Sequence, residues 1–65
     1  MSYQQMIAAI APDANARHVE AFMRSEHGTL DALSPEQFRA EVFAADLCAQ
    51  EEPAVAESLA RSYGL

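Results

Sequence analysis

The stretch SPEQFRAEVFAADLCAQEEP, residues 34–53, decides how this chain is built. Its first residues carry three helix-start signals. The Ser34 hydroxyl is placed to accept from the backbone of the third helical residue. Pro35 has its φ preset for the first helical position, and Gln37 completes a capping box. No Gly or Pro follows until Pro53, so one helix is expected from Pro35 to about Gln50. At about 100° per residue, Phe38, Val42, Ala45 and Ala49 share one face. Phe43 and Leu47, with Ala40 and Ala44 beside them, fall on roughly the opposite face, and Arg39, Asp46 and Gln50 form a polar strip between. A helix apolar on two faces is expected to be covered on two sides. The reading is therefore that this third helix is central, with Phe38 and Val42 toward the core and the first and last helices on its two sides. Otherwise its second face, around Phe43 and Leu47, or the uncharged first helix, is left for a partner.

Upstream, Ser2 and Gln5 form another capping box. Tyr3, Met6, Ile7 and Ile10 recur at helical spacing before Pro12, predicting a helix over 3–11 with no charged side chain. An isolated helix this short is marginal in water, so it must dock on something. A second helix is expected over 16–27, with Asp13 or Asn15 as N-cap, Val19, Phe22 and Met23 as its apolar stripe, and Glu20–Arg24 as an i,i+4 pair. Gly28 reads as a left-handed stop. Leu30 and Leu33 read as plugs in a single turn, 3₁₀ in type. Downstream, Glu51 and Glu52 oppose the dipole at the end of helix three and suit the start of a fourth helix, so a tight break is expected there. That helix covers 53–63, with Pro53 at its first position, a Val55, Ala56, Leu59, Ala60, Tyr63 stripe, a Glu57–Arg61 pair, and Gly64 and Leu65 as its cap.

The fold class is thus all-α: about four short helices in one domain, residues 1–65. Composition agrees. Fourteen of the 65 residues are Ala, with two Gly and three Pro, and β-branched residues are too few for strands. A chain of this length buries only about 60% of its unfolded surface, too little for a multi-domain enzyme or a cleft with a catalytic triad.

Ten acids stand against four Arg and no Lys, a net charge of −6, and five of those acids with one Arg lie in residues 34–52. Nucleic-acid binders draw affinity from Lys and Arg on phosphate. The second and third helices could be read as a helix-turn-helix, but the third opens with Glu36, Gln37, Arg39 and Glu41, a poor start for a recognition helix. Nucleic acid is therefore not an expected partner. No apolar run approaches the roughly 20 residues of a membrane span, and no signal-peptide pattern opens the chain, so a cytoplasmic protein without membrane contact is expected. The lone Cys48 excludes an internal disulfide and reads as a small buried apolar residue.

No chemistry-bearing constellation stands out. Glu20 and His27 share one side of helix two but are too few for a metal site. His27 is expected to meet the last carbonyls of its own helix, and His18, in the first turn, to be solvated. Ser25, Ser34, Ser58 and Ser62 have no His and acid arranged to activate them. No enzyme activity, cofactor or metal is expected.

The run from Arg17 to Asp31 (RHVEAFMRSEHGTLD), then Leu33-Ser34, Phe38 and Glu41-Val42, and the tail from Ala56 to Leu65 (AESLARSYGL) resemble short uncharacterised proteins of bacterial phages and prophages. The resemblance covers most of the chain. It implies a bacterial or phage-infected cytosol, no catalytic residues, and action by binding a host protein, as is common among small phage proteins.

The expected function is a non-enzymatic accessory module that binds a host protein, inhibiting or modulating it, or binds a second copy of itself as a homodimer. The candidate partner surface is Phe43 and Leu47, with Glu36, Glu41, Asp46, Glu51 and Glu52 tuning partner choice. One alternative is an acidic nucleic-acid mimic that blocks a DNA-binding host protein, which needs acids aligned on one face. A second is a small transcriptional regulator, which a gel shift would reveal.

Overall fold

A computed structural model describes residues 1–65. Four helices run in order: α1 Tyr3–Ile10, α2 Ala16–His27, α3 Pro35–Glu51 and α4 Pro53–Ser62. The starts are set by the local chemistry read above. Ser2 accepts from the Gln5 backbone at 3.1 Å while the Gln5 amide oxygen takes the Ser2 N–H at 2.8 Å. Ser34 and Gln37 make the same reciprocal pair at 3.1 and 2.9 Å. For α2 the cap is Asn15, whose side chain accepts from the His18 N–H at 3.1 Å. Glu52 alone separates α3 from α4, and Pro53 opens α4.

The two glycines end helices differently. Gly28 has φ 71° and ψ −67°. Its positive φ is as expected, but the Thr29 N–H bonds to the His27 carbonyl at 2.8 Å, which makes a γ-turn centred on Gly28 rather than a left-handed cap. Gly64, at φ 73°, sits in a Schellman motif: Leu65 N–H bonds Ala60 O at 2.8 Å and Gly64 N–H bonds Arg61 O at 3.1 Å. Residues 29–33 form the single turn expected there, closed by an i→i+3 bond from Leu33 N–H to Leu30 O at 3.3 Å.

Ile7, Val19, Met23, Leu30, Phe38, Val42 and Ala45 form the core cluster. Phe38 and Val42 face it as expected, and the plugs Leu30 and Leu33 both pack there. The central helix, however, is α2 and not α3. α2 packs on each of the other three, whereas α3 packs mainly on α2 and less extensively on α1 and α4. The reason lies in side-chain size. Val19 and Met23 of α2 point to the α1–α3 side. On its other side Arg17 and His18 meet Glu57 of α4, and Ala21 of α2 and Ala56 and Ala60 of α4 are fully buried. Methyl groups at that crossing let two backbones approach closely, so α4 settles on α2. Helices one and four therefore do not cover both sides of α3. Of its two apolar faces, the Phe38–Val42–Ala45–Ala49 face is buried and the Phe43–Leu47 face is open.

One buried residue is ionisable. Glu20 is 4% exposed. Arg24 Nε donates to its Oε2 at 2.8 Å, and the Arg24 guanidinium lies 5.8 Å from the Tyr3 ring centroid. The expected i,i+4 pair thus also ties α2 to α1. Tyr3 stacks on Phe38 at 6.0 Å and donates its hydroxyl to Asp31. No buried side-chain polar atom lacks a partner.

Candidate interaction surface

The outer face of α3 leaves two large apolar side chains open, while Val55 and Tyr63 of the expected α4 stripe are exposed as well. Leu47 is 62% exposed and Phe43 45%. They are one helical turn apart, and Arg39, a turn earlier, places its guanidinium carbon 5.4 Å from the Phe43 ring centroid. This cation–π contact was not foreseen, although the i,i+4 spacing of Arg39 and Phe43 carried the signal. Ala40, Ala44 and Cys48 are exposed beside them. Cys48 is therefore a solvent-facing thiol and not the buried filler expected: the face it occupies has no covering helix.

The five acids assigned to this surface do not gather on it. Glu36 and Glu51 are exposed at the two ends of α3, and Glu52 is exposed at the joint. Glu41 lies on the other side, where it pairs with His27 Nε2 at 2.5 Å. Asp46 is half-buried on the flank and accepts from Gln50 Nε2 at 2.9 Å.

His27 accordingly holds α2 to α3 instead of capping its own helix. Its Nε2 also lies 3.8 Å from a Glu26 carboxylate oxygen. Glu26, His27 and Glu41 can bring one donor atom each within 4.8 Å of one another. Glu20, weighed with His27 as a ligand pair, is instead committed to Arg24. The Glu26–His27–Glu41 donors are of a kind that binds divalent cations, but the contact between His27 and Glu41 is already a complete hydrogen bond on an exposed surface.

A second apolar feature is a cleft of about 350 Å³ on the uncharged first helix, lined by Tyr3, Met6, Ile10, Leu30, Leu33, Pro35 and Phe38 with Asp31 at its edge. It is the seam between α1 and the 29–34 connection, floored by the core itself.

A cluster of ions holds α4 in place. Arg17 donates to both Glu57 oxygens, at 2.5 and 3.0 Å, and its Nε donates to the Leu65 carbonyl at 2.8 Å. His18 Nε2 meets Glu57 at 2.9 Å and Arg61 Nε donates to it at 2.9 Å. The Arg17 hydrogen bonds first, then those of His18 and Arg61, hold the Glu57 carboxyl well below the usual carboxylate range. The same hydrogen bond raises the Arg17 pKa. His18, expected in solvent, is only 14% exposed at its side chain. The Glu57–Arg61 pair was legible from spacing; the reach from Arg17 across 40 residues was not.

No helix is long and apolar enough to cross a membrane. Neither a family model, nor a curated protein, nor a solved structure matches the chain.

Proposed function

We propose that the chain is a non-enzymatic accessory module that acts by docking a protein on the outer face of α3. The observation that carries this reading is the open Phe43–Leu47 pair. An apolar row left exposed on the longest helix of a small domain, rimmed by polar residues, has the make-up of an interaction site. Glu36, Glu51 and Glu52 at its ends would steer partner choice and encounter rate more than final affinity. A bacterial or phage-infected cytosol and a host protein as target follow from the phage-protein resemblance and belong to the same proposal.

The acidic nucleic-acid mimic is less well supported, because the acids are dispersed. Glu20 is buried on Arg24, Glu57 is held by Arg17, and Glu41 is held by His27. A duplex mimic needs such charges free and aligned, in the manner of phosphates. For the regulator reading, the exposed start of α3 offers Glu36 and one arginine, Arg39.

The test is a nuclease-treated pull-down from bacterial lysate with the tagged chain and its Leu47→Asp variant, washed at low and high salt. The expected outcome is a protein retained by the wild type at both salts and lost from the variant. Retention at low salt alone, indifferent to Leu47, would point to the acidic mimic instead.

A further inference from the structure

The outer face of α3 carries its own complement. Arg39, Phe43, Leu47 and Glu51 follow one another at i, i+4 spacing, and all four are exposed. This row has a cation at its N-terminal end, two apolar knobs in the middle and an anion at its C-terminal end. Neither Arg39 nor Glu51 has an ion-pair partner within the chain. Arg39 leans on Phe43 at 5.4 Å, so charge and knob form a continuous ridge. Alongside runs a row of small exposed residues, Ala40, Ala44 and Cys48, which makes a groove of the same pitch. Ridges of i±4 spacing set into such grooves are the commonest way two helices pack.

We infer that in the free protein the occupant of this face is a second copy of the same chain, docked antiparallel through α3, which a host protein would have to displace. This rests on the reading of that face as the docking surface. A two-fold axis at the level of Ala45 lies midway between Phe43 and Leu47 and also midway between Arg39 and Glu51. Each Phe43 then meets Leu47 of the second copy, and each Arg39 meets Glu51 of the second copy. That match is what an isologous interface demands: one patch must be complementary to itself after rotation. A parallel pair would set like charge on like charge. An unrelated partner would require no such symmetry in the row.

Size sets the strength. A standard interface takes about 800 Å² from each partner, roughly a fifth of the 4005 Å² this chain exposes. One face of one helix supplies less, so the pair belongs to the weak, concentration-dependent class.

Sedimentation velocity on the full chain, from micromolar to millimolar concentration, tests the inference. The wild type is expected to pass from monomer to dimer, and Leu47→Asp to remain monomeric with unchanged helical circular dichroism. Arg39→Glu is expected to weaken association about tenfold, since the symmetric pair loses two attractions and gains two repulsions. The double exchange Arg39→Glu with Glu51→Arg is expected to restore it. A dimer indifferent to Leu47→Asp, or charge variants without rescue, overturns the antiparallel pairing. A wild type that stays monomeric yet forms a Leu47-dependent complex with another protein overturns self-pairing and leaves the docking face standing. A monomer that forms no such complex overturns both.

Discussion

Arg17 of α2 holds Glu57 of α4 through both guanidinium ends, at 2.5 and 3.0 Å. Two residues 40 apart in sequence thus fix the last helix on the central one, and His18 and Arg61 complete the set around the same carboxylate. The planar fork of arginine matches a carboxylate as lysine's point charge does not.

This arrangement makes stability acid-sensitive. Glu57 has a lower pKa folded than the 4.5 of an unperturbed glutamate. Below that value the unfolded chain takes up the proton first, so acid favours unfolding. The stabilisation is fully present above pH 4.5 and is lost as pH falls further, toward the folded value. Thermal midpoints of wild type and Glu57→Gln, followed from pH 7 to pH 3, are expected to differ most at neutral pH and to converge in acid.

The Ser34 cap supplies a second test. Ser34→Ala leaves the Gln37 N–H without its partner at the start of the longest helix. The expected cost is about 1 kcal/mol, a drop of about 4–8 °C in Tm for a domain of this size. Thermal denaturation reads it directly.

Gly28 and Gly64 separate backbone strain from packing. A Cβ at either would meet nothing within 4 Å, so any penalty is conformational. Gly28→Ala, forced into the γ-turn region, is expected to cost about 1–3 kcal/mol. Gly64→Ala, at a left-handed cap, should cost about 1 kcal/mol. Urea denaturation of the two variants should rank them in that order.

Apolar residues at similar helical spacing should differ sharply in weight. Met23 is fully buried while Leu47 is 62% exposed. Met23→Ala is expected to cost about 2–5 kcal/mol, a large share of the roughly 3–10 kcal/mol expected for a chain this long. Leu47→Ala should change stability by less than about 0.5 kcal/mol in dilute solution. Equal losses in chemical denaturation would mean that the outer face of α3 is covered within the monomer.

What the amino-acid sequence determined by itself is local. The Ser2 and Ser34 capping boxes, the stop at Gly28 and the joint before Pro53 each involve groups a few residues apart, so the helix boundaries could be read within a residue or so. The side of α3 that faces the core, Phe38 with Val42, follows from periodicity in the same way. The tertiary structure alone decided which helix lies at the centre, because that depends on many weak packing contacts between distant segments. Buried methyl groups of α2 and α4 let those helices approach closely, and this displaced α3 from the middle. Its Phe43–Leu47 face and the Cys48 thiol were left in solvent as a result. The same docking brought Glu57 to Arg17 and His18, and Glu41 to His27. The range of a charged side chain is set by where its helix comes to rest, and no spacing along one chain encodes that.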